Sequence, residues 1–245
     1  AELARFIVAT TRFCADRIRS YTSEHISQKV HVIHLGIDEE CGQTYRDGIE
    51  SGRDKLPYII AVGRLVEKKG FDYLVKACSL LRARRLTPRC VIVGKGPDEE
   101  KLLSLIDALG LEDEVELAGP VQNDQLFRLY LRPKNILVAP SVYAKDGERD
   151  GIPTVLLEAM ISGVPVISTT VSGIPELITD GKNGLLVPDR DEYALADAME
   201  KLLRNSRLRE RLRREGRQRI RENFRTIDSA RRLWSLVKCE SEDSS

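Results

Sequence analysis

Neither charge sign is in excess in this sequence: 39 Lys and Arg stand against 38 Asp and Glu over 245 residues, a formal net charge of +1. A chain so balanced has no global attraction for polyanions, which argues against a basic nucleic-acid binder. Long apolar runs are missing as well, and none reaches the roughly 18 residues needed to cross a bilayer. Cysteine is sparse and scattered. Cys14, Cys41, Cys78, Cys90 and Cys239 form no C-x-x-C pair and have no histidine at ligand spacing, so neither a zinc site nor a disulfide framework is expected. Cys78 and Cys90 fall in apolar helix and strand patterns, where a thiol acts as a small buried hydrophobe. The opening AELARFIVATTRF has no basic leader, long apolar segment or small-residue cleavage site, which makes the cytoplasm the expected compartment.

What is present is a regular alternation. Short β-branched runs start at Tyr58 (YIIAV), Cys90 (CVIV), Val115 (VELA), Ile136 (ILVAP), Pro165 (PVIS) and Gly184 (GLLV). Each is almost wholly apolar, as strands covered on both faces are, whereas a strand with one wet face would alternate. Between them lie helical periods: Phe71, Leu74, Val75 and Cys78, then Leu102, Leu105, Ile106 and Leu109, recur at i, i+3, i+4 and i+7. Pro97 with Asp98, Glu99 and Glu100 marks a helix start and Gly110 a stop. Asn123 is placed to cap the next helix, and Pro175 to open another that ends near Gly181. Six strand and helix alternations imply right-handed crossovers and an α/β, Rossmann-like doubly wound parallel sheet.

Ahead of this unit come FIVATT, a polar helical stretch from about Arg12 to Glu24, and VHVIHLGID. Three elements cannot cover a core of their own, so residues 1–37 are expected to be the remnant of a second domain and 38–56, with Gly42, Gly48 and Gly52, an interdomain linker. The main domain is expected over 57–220, with a carboxyl-terminal helix and tail over 221–245. From Lys201 to Arg225 there are eleven Lys and Arg against three Glu. The stripe Leu208, Leu212, Ile220 and Phe224, interrupted by Gly216, packs one edge of this basic helix while the arginines fan outward. A solvated face and a weak attraction to anionic lipid are both open.

An open parallel sheet binds ligands beyond the carboxyl ends of its strands, so the strand-to-helix loops hold the candidates. GRLVEKKG puts Arg64 and either Lys68 or Lys69 at that edge. In VGKGPDEE, Gly94 and Gly96 let backbone approach a ligand, although Glu99 breaks the G-x-G-x-x-G fingerprint of a dinucleotide site. After ILVAPS, the loop YAKDGERDGIP leads into the helix TVLLEAMISG, giving Asp150 and Glu158 a D-x7-E spacing. A helix start attracts phosphate and the carboxylates accept hydrogen bonds from hydroxyls, a combination that suits a nucleotide sugar. The competing account makes Asp150 a loop charge and Glu158 a salt-bridged helix residue.

GRLVEKKGFDYLVKA, VGKGP, LAGPV, APS, DGIPTVLLEAMISGVPVIST and SGIPELITDGKNGLLV, in this order, resemble the carboxyl-terminal domain of the family 4 glycosyltransferases, the retaining group 1 enzymes of GT-B fold. FIVATT to HLGID is similar to the end of that family's amino-terminal acceptor domain. The resemblance implies that Gly63 and Arg64 of GRL, with Lys69, hold the donor diphosphate, the two cations stabilising the leaving nucleotide. It implies that Gly94 gives the nucleotide backbone room and that Val121 lies by the base. It further implies that Glu158, second acid of the family's E-x7-E motif, binds the ribose hydroxyls and that Gly151, Ile152, Pro153, Thr154 and Val155 line the sugar and diphosphate. Asp150 holds the first acidic position, where the family has glutamate. Lys134 and Asn135 replace a small residue and an aspartate, which is expected to alter a surface turn. His25, His31 and His34 match no motif and are expected on the surface or in a strand.

The expected function is therefore the donor-binding part of a retaining glycosyltransferase, moving a hexose from a UDP- or GDP-sugar to a glycan or lipid-linked acceptor, with Asp150, Arg64 and Lys69 at the chemistry. Neither a metal nor a cofactor is expected, since the resemblance implies that Arg64, Lys69 and the helix dipole neutralise the diphosphate. Peripheral contact with the inner face of a membrane goes with the basic helix. The chain alone is expected to bind donor with little transfer, since the cleft forms when two domains close. The alternatives are a nucleotide-sugar-binding module without catalysis and an epimerase or phosphorylase of the same architecture.

Overall fold

The computed structural model describes residues 4–38, 40, 56–122, 125–126 and 130–242. The linker expected over 38–56 and the cap expected at Asn123 lie almost wholly outside these residues. The element order begins with β1 (Ile7–Ala9), α1 (Arg12–Ser20), α2 (Glu24–Gln28) and β2 (Val30–Val32). It continues with β3 (Ile59–Val62), a 3-10 turn at Glu67–Lys69, α3 (Phe71–Ala83), β4 (Cys90–Val93), α4 (Glu99–Ala108), β5 (Val115–Gly119) and β6 (Ile136–Ala139). Then follow α5 (Thr154–Ser162), β7 (Val166–Thr169), α6 (Ile174–Leu177), β8 (Leu185–Val187), α7 (Glu192–Arg204), α8 (Ser206–Asn223) and α9 (Thr226–Glu242).

Six strands form one sheet in the order β5-β4-β3-β6-β7-β8, and every pairing is parallel. The doubly wound α/β expectation holds, with the strand order reversing between β3 and β6. The apolar runs are explained by the side chains' destinations. Ile59, Ala61, Cys90, Ile92, Ile136 and Val138 face a core shared with α3, α4 and α7, while Ile60, Val91, Val93, Leu137 and Ala139 face one shared with α5 and α6. The thiols of Cys78 and Cys90 are buried as expected. α5 is apolar nearly all round because the sheet and α8 cover it on different sides, and Leu156, Leu157, Ala159, Met160 and Ile161 are buried. Truncating Leu156 to alanine there removes a wholly buried side chain, at a cost of about 2–5 kcal/mol.

α8 belongs to both cores, Leu208 and Leu212 to the first and Ile220 and Phe224 to the second. Gly216 marks the crossing, where an added Cβ would lie 3.2 Å from the Asn183 carbonyl oxygen and 3.6 Å from Met160. The helix runs through the boundary expected at 220 and 221. Its arginines do not all fan outward. Arg213 donates to the Gly163 carbonyl, Arg217 to those of Ile161 and Ser162, and Arg219 to that of Glu176. Arg209 reaches the Leu202 and Leu203 carbonyls and Arg211 that of Gly181. Much of the positive charge thus sits where helices α5, α6 and α7 present unpaired carbonyls and negative dipole ends.

Two helices are shorter than the sequence suggests. α1 stops at Ser20 and a separate turn of helix, α2, follows. α6 ends at Leu177 because Asn183 takes over the backbone, accepting from the Thr179 amide at 2.7 Å and donating to the Leu177 carbonyl at 3.1 Å. Asn135 does not alter a surface turn. It is buried, accepts from the Tyr58 amide at 3.4 Å and donates to the Tyr130 carbonyl at 2.9 Å, tying the entrances of β3 and β6.

β1 and β2 pair in parallel as a separate two-stranded sheet over a small core of Ala9, Ala15 and Val30. This unit is fastened to the larger one at two places. Ile37 exchanges backbone hydrogen bonds with Phe224 and Thr226, and Ser229 Oγ donates to the His34 carbonyl at 2.8 Å. At the other, the β1–α1 turn meets the loops after β6 and β7.

Candidate functional site

The carboxyl ends of β3, β4 and β5 stand side by side, and the loops leaving them enclose a cleft of about 360 Å³. Val62, Gly63, Arg64, Val93, Gly94 and Val121 are among its lining residues. The sheet ladder continues into the loops, with the Gly63 amide on the Val93 carbonyl at 3.0 Å and the Gly94 amide on the Gly119 carbonyl at 2.8 Å. Only glycine fits at 94: an added Cβ would sit 1.9 Å from the Gly63 carbonyl oxygen. Arg64 is exposed on this cleft and makes no hydrogen bond or ion pair among the described residues, which leaves its guanidinium fork available to an anion.

The second part of the site lies across the strand-order reversal. Gly70 is left-handed at φ 65°, and an added Cβ would meet the Pro140 carbonyl oxygen at 2.0 Å. That close seat, with the Val142 amide on the Lys68 carbonyl at 3.0 Å, brings the turn before α3 against the loop after β6. The Lys69 stem then lies over Gly63, and its Nζ is 2.7 Å from Asp150 Oδ2. Lys68 Nζ is 3.2 Å from Glu148 and 4.0 Å from the other Asp150 oxygen. Between Lys68 and Lys69, which the loop pattern leaves open, the geometry favours Lys69 as the cation beside Gly63. Asp150 Oδ2 is shut off from solvent and has no aligned hydrogen bond, so the ion pair with Lys69 is what offsets its desolvation.

α5 starts beside this cluster. Its first residue Thr154 is exposed, Pro153 and Val155 are buried, and no side chain caps its amides. Glu158, one turn further on, is half-buried with no hydrogen bond or ion pair among the described residues. Burial pushes its carboxyl above the usual range. The salt-bridged alternative for Glu158 thus finds no partner. Gly151 and Ile152 face the small unit: a Cβ on Gly151 would touch Thr11 at 3.6 Å, and one on Gly173 would meet Thr11 at 2.4 Å and Ile152 at 3.3 Å. Of the expected residues, Gly63, Arg64, Gly94 and Val121 share the cleft, Lys69 and Asp150 are joined at its side, Gly151 to Pro153 lead into α5, and Thr154, Val155 and Glu158 lie on it.

Sequence reasoning passes over three groups at the junction of the two units. Glu176 accepts from the Arg12 amide at 2.8 Å and the Phe13 amide at 3.0 Å. Burial opposes its ionisation, but those amides and the His34 ring outweigh it and hold the carboxyl below its usual range. His34 is not a surface residue: its Nε2 is 2.8 Å from Glu176 and its ring packs on Phe224 at 5.2 Å. His25 is exposed and His31 lies in β2, as expected. Arg149 stands between the Phe13 and Tyr143 rings. SGIPELI carries Glu176 in plain view, but its partner 142 residues away is invisible to spacing. Among the described residues no group of three or more His, Cys, Asp or Glu converges in the manner of a metal site, and no helix is long and apolar enough to cross a membrane.

The sequence profile described as "Glycosyl transferases group 1" matches residues 47–219. The chain is 37% identical over 171 residues to the amylovoran biosynthesis glycosyltransferase AmsK of Erwinia amylovora, covering 69% of this chain and 41% of that protein. In structure it is similar to the sucrose-phosphate synthase of Thermosynechococcus elongatus, with a TM-score of 0.83 and 25% identity over 100% of this chain and 60% of the other. HepE of Anabaena, solved with UDP-glucose, superposes with a TM-score of 0.80 at 18% identity over 96% of this chain and 64% of HepE. The chain spans about two fifths of the length of the curated relatives it matches.

Proposed function

This chain belongs to the group 1 glycosyl transferases, and from that premise we propose that it forms the donor-binding part of a retaining hexosyltransferase whose donor is a UDP- or GDP-sugar. One observation carries the proposal: Arg64, with no hydrogen bond or ion pair among the described residues, lines the cleft above β3, β4 and β5, and the Lys69–Asp150 pair stands at its side across the strand-order reversal, where an open α/β sheet binds its ligand. A diphosphate entering there takes Arg64 as a bidentate donor and competes with Asp150 for Lys69, so the carboxylate is released toward the sugar as the phosphate arrives. The uncapped amides of α5 add a third positive end. Together these stabilise the charge that grows on the departing nucleotide, a task for which we propose neither a metal nor a cofactor. The half-buried carboxylate of Glu158 suits the two neighbouring hydroxyls of a ribose.

The acceptor is a glycan or lipid-linked sugar, and transfer requires the part of the first domain that residues 4–38 do not supply. AmsK's place in amylovoran biosynthesis supports a polysaccharide setting. Peripheral membrane contact through α8 draws on Arg207 and Arg214, which are exposed, and is reduced by the arginines already engaged with carbonyls. Cytoplasmic action goes with the same proposal.

Calorimetry of this chain against a panel of nucleotide sugars tests donor binding, with a dissociation constant in the micromolar range expected for one base. Titration heats absent for every UDP- and GDP-sugar would end the proposal. Asp150→Ala in the protein carrying both domains then separates transferase from binding module, since only the former has turnover to lose.

A further inference from the structure

We propose that Arg149 is a positioning residue for Asp150. Held between two aromatic plates, it fixes the loop 144–150 so that the neighbouring carboxylate meets Lys69 and, when donor is bound, the transferred sugar. This rests on the nucleotide-sugar reading of the same cleft.

The Arg149 Cζ lies 5.3 Å from the Phe13 ring centroid and 5.6 Å from that of Tyr143, both within cation–π range. It makes no hydrogen bond or ion pair among the described residues, so the two ring contacts are its attachment. Both plates are anchored. The Phe13 amide is bonded to Glu176, the Tyr143 hydroxyl accepts from the Ser172 amide at 3.1 Å, and the Tyr143 carbonyl accepts from Arg190. The loop itself has little else to hold it. Lys145, Asp146, Gly147 and Glu148 are exposed, and the loop's own backbone bonds join Ala144 to Glu148 and Gly147. Apart from the Asp150 contacts with Lys69 and Lys68 themselves, its links to the turn before α3 are the 3.4 Å bond from the Lys145 amide to Glu67 and the Lys68–Glu148 ion pair. Asp150 is one methylene shorter than glutamate. Its reach is therefore set by the backbone that carries it, and Arg149 sets that backbone. Because Phe13 comes from α1 and Tyr143 from the loop after β6, the clamp also ties the small unit to the sugar end of the cleft.

The test is calorimetry of the whole chain with UDP-glucose and GDP-mannose, each beside UDP and GDP alone. For the donor that binds, Arg149→Ala is expected to weaken the nucleotide sugar about tenfold while the bare nucleotide changes less than about twofold, because Arg64 and Lys69 remain. Arg149→Lys, which keeps the cation, should recover to within about threefold of the parent, and Arg149→Ala with Phe13→Leu should be no worse than Arg149→Ala alone. Equal losses for sugar and bare nucleotide, or no loss for either, would overturn the proposal. If no nucleotide binds even the parent chain, the donor-site reading fails instead. Amide exchange over Lys145 to Asp150 then decides: about tenfold faster exchange in Arg149→Ala is expected, and unchanged protection overturns it.

Discussion

Arginine does two different jobs in this molecule. Along α8, Arg209, Arg211, Arg213, Arg217 and Arg219 turn inward and give hydrogen bonds to backbone carbonyls. At the end of β3, Arg64 gives none among the described residues. The first group replaces water at helix ends and holds packed elements together; the second is a cation kept in reserve on a concave surface. A run of positive charge is thus a poor guide to a ligand, and the proposed function rests instead on a single arginine with no bond among the described residues, set in a cleft beside a lysine ion pair.

The comparison is broken most easily at Arg64. Arg64→Ala should weaken nucleotide-sugar binding by about 10- to 100-fold, the range of a charged hydrogen bond worth roughly 1.5–3 kcal/mol, with the melting temperature unchanged. An equal fall in stability would place Arg64 with the structural arginines. The reverse pattern is expected on α8. Arg217→Ala leaves the Ile161 and Ser162 carbonyls unpaired, and a loss of roughly 1–2 kcal/mol should lower the midpoint by about 2–8 °C while donor affinity stays constant. A changed donor affinity with normal melting would undo the distinction.

Two glutamates sharpen it. Glu158 is half-buried without a partner among the described residues and its carboxyl is raised; Glu176 is held by two amides and an imidazole and its carboxyl is lowered. Folding therefore favours protonated Glu158, so its ionisation burdens stability above its folded pKa and the burden lifts as pH falls through that value. Glu176 is the opposite: its contribution is present above the unfolded carboxylate range and is lost as pH falls through its lowered folded value. At pH 7, Glu158→Gln should raise the midpoint by about 2–4 °C and weaken donor binding, the mark of a group kept for a ligand at the expense of stability. Glu176→Gln should lower the midpoint at pH 7 by a similar or smaller amount, and its difference from the parent should shrink as the pH drops below about 4. Thermal melts across that range check both signs.

Much of the fold was legible because its rules are local. Continuous runs such as CVIV and ILVA announce strands covered on both faces, and the spacing of Phe71, Leu74, Val75 and Cys78 announces a stripe; each reached the predicted core. The loop glycines, Arg64, a lysine at 68 or 69 and Asp150 follow from where a parallel sheet opens, while the choice of Lys69 came from the family resemblance. The errors came from bonds that do not follow periodicity: Asn183 cutting α6 short, Asn135 drawn inside, and the arginines of α8 folding back.

What the sequence by itself determined is the doubly wound α/β order and the set of polar residues delivered to one edge of the sheet, since period, punctuation and strand burial act over a few residues at a time. Which of those residues meet was decided only by tertiary structure. Lys69 reaches Asp150 because Gly70 lets one loop sit against Pro140, and His34 reaches Glu176 because the small unit docks on α6. Such pairings depend on backbone contacts between segments some 80 to 140 residues apart, a separation at which no repeat or spacing in the chain constrains what lies beside what.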